Sequence, residues 1–176
     1  MTNWTIDSAH TETSFSVKHM GLSNVRGNFQ TTSGTVTTDD NGTITAIDAK
    51  IDAASIETRN EDRDNHLKSA DFFDVEKFPE IHFVSTSVTK KDDEEYTVEG
   101  NLTIKDVTKP ISFDAEVGAP VDDPYGLKRS GASLAFSFDR RDFKLTWSQA
   151  LANGSLVVGN KIKVNVDVEI TQNPAA

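Results

Sequence analysis

Between Lys161 and Ile170 the chain alternates without interruption. Ile162, Val164, Val166, Val168 and Ile170 fall on one face, and Lys161, Lys163, Asn165, Asp167 and Glu169 on the other. A helix repeats every 3.6 residues and a strand every two, so this pattern specifies a half-buried strand. The same alternation marks 96–104, 111–117 and 47–53. Further strands are expected at 13–18, 24–31, 34–38, 81–89 and 130–139. Turn chemistry separates them: Asp39-Asp40-Asn41-Gly42, the polar tip Asp92-Asp93-Glu94, a longer loop through Ala119-Pro120 and Asp123-Pro124-Tyr125-Gly126, and Asn153-Gly154. The chain is therefore read as all-β and antiparallel.

Eight or so such strands, each with one apolar face, must hide those faces. Too few helices are present to cover an open sheet, so the sheet closes on itself or packs on a second one. An eight-stranded barrel is expected, with an interior that side chains fill or that holds one small ligand. The inverted reading is an outer-membrane barrel with its apolar face outward. Three features oppose it: there is no export signal, two Trp and two Tyr make no aromatic girdle, and the tail Thr171-Gln172-Asn173-Pro174 is polar.

One stretch breaks the period of two. Thr58 precedes Glu61 at capping-box spacing, and Glu61 and Asp62 suit a first helical turn. A single short helix is expected near 60–69, as a lid or a solvated connector. No repeat or linker interrupts the chain, so 1–176 is read as one domain.

Composition narrows function. The 176 residues contain no cysteine, which excludes disulfides, thiolate catalysis and Cys-based metal sites. The formal net charge of −10 repels phosphate backbones, so nucleic acid is not an expected partner. Anionic membrane surfaces should repel it too unless a local basic patch exists, and no Lys/Arg run exceeds a pair. No segment is long and apolar enough for a membrane helix. Met1-Thr2-Asn3-Trp4-Thr5-Ile6-Asp7 has neither a basic nor an apolar signal region. A cytoplasmic location without membrane insertion is expected.

Candidates for chemistry are sparse. His10, His19, His66 and His82 have no metal-ligand spacing, so no metal or cofactor is expected. His82 should face solvent between Ile81 and Phe83. Arg63-Asp64-Asn65-His66 and Arg140-Arg141-Asp142 are the densest charged clusters. They suit either a polar head group or structural ion pairs. No GxSxG elbow or phosphate-cradling glycine loop is present. The inward apolar set is rich in phenylalanine: Phe15, Phe29, Phe83, Phe113, Phe136 and Phe138. Such rings either pack a core or line a tunnel for a ligand without polar groups.

Several motifs together resemble the YceI-like proteins. They are His10…Phe15-x-Val17-x-His19 with Val25-x-Gly27-x-Phe29, and Arg63-Asp64-x-His66-Leu67-x-Ser69-x-Asp71-Phe72-Phe73-Asp74. Phe78-Pro79-x-Ile81-x-Phe83, Gly100-x-Leu102-Thr103-Ile104, Val107-Thr108-Lys109-Pro110 and Arg141-Asp142-Phe143 follow in order. The resemblance implies a lipocalin-like extended barrel that binds polyisoprenoid chains, such as polyprenyl pyrophosphates or isoprenoid quinones, and forms a homodimer. Transport, storage and stress protection are the roles it brings with it. It adds Val17, His19 and Leu102 to the expected ligand contacts. Phe72, Phe73, Phe143 and Trp147 are expected to close or line the pore, and Arg63, His66 and Arg141 to meet a polar head group. Two positions depart from the family pattern: Lys144 and Asp106 stand where glycines are usual. Two rival readings stay open: an enzyme using His19 or His66 with an Asp, and a partner-binding β-domain with a filled core.

Overall fold

A computed structural model describes residues 1–172. The tail residues Asn173 and Pro174 lie outside the described residues, while Thr171 and Gln172 complete the last strand. The strands are β1 (Thr2–Ile6), β2 (Glu12–His19), β3 (Ser23–Phe29), β4 (Thr32–Thr38), β5 (Ile44–Asp52) and β6 (Ile56–Glu57). After helix α1 (Glu61–Lys68) come β7 (Glu80–Lys90), β8 (Glu95–Ile104), β9 (Val107–Val117), β10 (Val121–Asp122), β11 (Lys128–Asp139) and β12 (Lys161–Gln172). All pairings between them are antiparallel, and β11 pairs with both β9 and β12, which closes the sheet.

The twelve strands make eight staves. β12 pairs along one edge with β1 at Ile170–Gln172 and with β2 at Lys163–Asp167. β4 pairs with β1 and β5, and β3 with β2 and β6. Thus β1/β2, β4/β3, β5/β6 and β9/β10 are four staves, each broken once, and β7, β8, β11 and β12 complete the eight. Two breaks share a cause. The Asp7 side chain accepts the Ala9 N–H, and the Asp52 side chain accepts the Ala54 N–H. Each turns the chain into one turn of 3-10 helix, which competes with the ladder. Asp139 ends β11 in the same way, accepting from Arg141 N.

Alternation reads out directly as burial. On β8, Tyr96, Val98, Gly100, Leu102 and Ile104 are buried in turn. The expected turns form: Asp39 Oδ1 accepts from Asn41 N and Thr43 N, and Asp92 Oδ1 from Glu94 N and Glu95 N. The longer loop contains the short strand β10, which pairs back on β11. Strand β1 was not among the expected strands, yet it carries Trp4 and Ile6 into the core.

Helix α1 forms where expected, but its cap differs. Asn60 Oδ1 accepts the Arg63 N–H at 2.9 Å. Thr58 is buried and employed elsewhere: its backbone N–H donates to Asp64 Oδ1, and its hydroxyl accepts from Arg63 Nε at 2.7 Å. Asn caps a helix as well as Thr does, and the Thr58 hydroxyl holds the helix to β6 instead.

At the β1/β2 break, Arg129 gathers three carboxylates. Nη1 meets Asp7 Oδ2 and Glu169 Oε1, each at 2.8 Å, and Nε meets Asp123 Oδ2 at 2.7 Å. His10 Nδ1 also reaches Asp7, at 2.9 Å. Asp7, His10 and Glu169 have the spacing of a metal triad, but the guanidinium already supplies the cation. The Arg129 bond, then that of His10, holds the Asp7 carboxyl down at about 2. A carboxyl lowered on folding stabilises above its unfolded pKa and loses that effect as pH falls through the folded value. The Asp7 contribution, on the order of 1–2 kcal/mol after screening, should therefore disappear between about pH 4 and pH 2. Denaturant titrations across that range should show a shallower acid loss for Asp7→Asn than for the parent.

Candidate functional site

The barrel interior holds two chambers in line. The upper, of about 160 Å³, is lined by Ile6, Val36, Ile44, Ile47, Val88, Tyr96, Phe83, Phe113, Leu134 and Val166, Val168 and Ile170 of β12. The lower, of about 120 Å³, is lined by Phe15, Val17, Phe29, Leu67, Phe72, Phe73, Phe138, Leu145 and Ile162, among others. Thr13, Ile51, Ile81, Leu102, Phe136 and Val164 line both, and so form a waist. Each chamber is of the size that holds a benzene-like apolar group.

The chambers are spaces because the inward side chains do not fill them. Leu134, Phe136 and Phe138 on β11, and Ile162, Val164, Val166 and Val168 on β12, all point into the barrel. Every one is only half-buried. In a packed core such residues would be fully covered.

The wall offers a ligand almost nothing polar. The hydroxyls of Thr13 and Thr32 bond each other at 3.0 Å, and Ser130 Oγ donates to Gly118 O at 2.8 Å. Arg140 is the charged side chain of the lower chamber, and it is 2% exposed. It donates to the carbonyls of Leu145, Trp147, Gly159 and Val158 at 2.6, 2.8, 2.9 and 3.4 Å. Burial pulls its pKa below the usual arginine value. Its work is to hold the irregular 145–159 segment across the lower end. Among the described residues, no buried side-chain polar atom lacks a partner.

Of the expected contacts, Phe15, Val17, Phe29, Phe72, Phe73, Phe83, Leu102, Phe113, Phe136 and Phe138 line the chambers. Phe113, Phe136 and Phe138 run in a stacked file, with centroids 5.7 and 6.3 Å apart. Phe143 lies one layer back, edge-on to Phe138 at 5.2 Å. Trp147 packs outside Phe72 at 5.6 Å and against the His66 ring at 4.8 Å. The polar candidates lie elsewhere. His66 Nε2 pairs with Asp71 at 2.9 Å, Arg141 grips Asp139, and Arg63 holds Thr58. His19 bridges to Val158 at the end of β2. His82 meets Asp48 at 2.7 Å on the outer side of β7. Sequence reasoning missed Arg140 as the buried member of its cluster. The two departing positions meet each other: Lys144 Nζ lies 3.4 Å from Asp106, and Lys144 itself adopts a φ of 59°. A lysine thus takes the left-handed conformation that glycine adopts without strain.

A closed, eight-stave antiparallel barrel around an apolar interior is a lipocalin-like barrel. The chain belongs to the YceI-like family, whose model matches residues 4–170. A UPF0312 protein of Staphylococcus aureus is 37% identical over 174 residues, 97% of this chain and 98% of its own. The solved YceI protein of Campylobacter jejuni is 34% identical and superposes with a TM-score of 0.75, covering 89% of this chain and 90% of that one. A polyisoprenoid binding domain from Saccharophagus degradans has the same fold at 14% identity. Its TM-score is 0.75, over 98% of this chain and all of that one.

Proposed function

We propose that the tunnel binds a long apolar isoprenoid chain, a polyprenyl pyrophosphate or an isoprenoid quinone, without chemical change, for transport, storage or sequestration. The half-burial of the inward side chains of β11 and β12 carries this reading. Two adjoining apolar chambers are left for a ligand that demands no hydrogen bonds. The polyisoprenoid binding described for the structural neighbour from Saccharophagus degradans supports the same ligand class. Each CH₂ transferred from water contributes about 0.8 kcal/mol, so several isoprene units hold a ligand without polar contacts. Selectivity then rests on tunnel length and on the width of the waist. A homodimer and a cytoplasmic location, both brought by the sequence reading, belong to the same proposal.

The enzyme reading needs a histidine–aspartate couple in the cavity. The His66–Asp71 couple instead lies on the outer side of Phe72 and Trp147. Incubation with octaprenyl pyrophosphate or an isoprenoid quinone, followed by gel filtration, tests the proposal. One lipid should elute with each barrel. Elution of the protein free of both lipids would contradict it.

A further inference from the structure

Folding builds a basic patch that no stretch of the sequence contains. Lys163 on β12, Ser16 on β2 and Arg26 on β3 stand in one cross-strand row. Their inward neighbours Val164 and Phe15 line the lower chamber, so this row faces out. Lys18 and Lys161 lie two residues further along the same outward face. All four cations are exposed. None of the four forms an ion pair among the described residues, although the chain carries a net charge of −10. The nearby Asp139 is held by Arg141.

The patch adjoins an apolar tip. The β2–β3 turn projects Leu22, 82% exposed, and Met20, 36% exposed. The turn is braced rather than loose: Met20 N donates to Val157 O at 2.9 Å and Leu22 N to His19 O at 3.0 Å. A rigid apolar point beside unpaired cations matches a leaflet of anionic lipid, which offers hydrocarbon under a negative surface. Acidic turns bearing Asp39, Asp40, Asp92, Asp93, Glu94 and Asp122 stand at the opposite end, while Glu61, Asp62 and Asp64 of α1, Asp106 and Asp142 lie at the same end as the patch but on other elements. The twelve residues of β12 span roughly 35–40 Å, several Debye lengths in ordinary salt, so the acidic end does not cancel the patch.

We propose that the barrel docks peripherally on anionic bilayers through the Met20–Leu22 tip and the Lys18, Arg26, Lys161 and Lys163 face. Val17 and Val158, which line the lower chamber, flank this tip, so docking sets that chamber against the hydrocarbon from which an apolar cargo comes. The inference rests on the lipid-binding reading, but its test does not need cargo. Vesicles of phosphatidylcholine with 30% phosphatidylserine, free of isoprenoid, are floated with the purified protein at low and high salt. Binding should require the anionic lipid and fall with salt. Each Lys or Arg is worth about fivefold, so replacing all four with Gln should weaken binding on the order of several hundredfold. Leu22→Ser should weaken it by about tenfold. All five sites are exposed, and circular dichroism should be unchanged. Equal binding to neutral vesicles, no binding to anionic ones, or full binding by the quadruple variant would overturn the proposal. So would a tip that instead joins two copies of the chain, read as a dimer that Leu22→Ser dissociates. Vesicle binding by a protein that retains no isoprenoid would leave docking intact and remove the cargo.

Discussion

Phe136→Asp should empty the tunnel. Phe136 lines both chambers and stacks between Phe113 and Phe138. A carboxylate at this waist meets aromatic and aliphatic groups, and the one polar waist side chain, Thr13, is already bonded to Thr32. An uncompensated buried charge costs several kcal/mol, so the group either takes up a proton or draws water into the lumen. In both cases a chain threading the waist loses its apolar surroundings, and isoprenoid affinity should fall by more than a hundredfold. The same substitution strains the fold, so Phe136→Trp is its partner. The larger ring keeps the surface apolar but fills the waist, at about 1–3 kcal/mol of overpacking. That variant should fold and retain only ligands short enough for one chamber. Full-length polyprenyl binding by Phe136→Trp would show that the chain does not pass the waist.

Arg140→Ala should be the most destabilising single change at the lower end. One guanidinium satisfies four carbonyls spread over Leu145–Gly159, and the side chain is almost wholly buried. Its removal leaves those acceptors facing a cavity. Losing one member of a buried charged network costs about 3–5 kcal/mol. For a chain of this length that lowers the melting temperature by about 10 °C. Limited proteolysis should place the first cuts within 145–159, ahead of any cut in the barrel. Arg140→Lys should not rescue, because an ammonium cannot present the planar fork that reaches acceptors on several sides. A lysine variant as stable as the parent would mean that charge alone holds the segment.

Much of the barrel is legible in the sequence because alternation is a local signal. Residues 161–170 and 96–104 show it openly, and both are strands. The stave breaks were written as Asp7-Ser8-Ala9 and Asp52-Ala53-Ala54, where a short acidic side chain reaches the N–H two residues on. They are readable afterwards but easily passed over, because each also looks like a polar position in a strand. The hollow lumen was not legible. Val164 and Phe136 would alternate identically in a filled barrel, and only their half-burial distinguishes the two. Arg140 and Arg141 are neighbours of one type, and which turns inward depends on the 3-10 turn that Asp139 starts. The basic face escaped notice for a different reason. Its members come from two distant parts of the chain and meet only through the β12–β2–β3 register.

The most direct measurement is mass spectrometry of an organic extract of the purified protein. An apolar tunnel built to hold an isoprenoid predicts one dominant polyprenyl or isoprenoid-quinone species, at about one per barrel. An extract free of such lipid, and still free of it after incubation with octaprenyl pyrophosphate and isoprenoid quinone, would contradict that account of the tunnel.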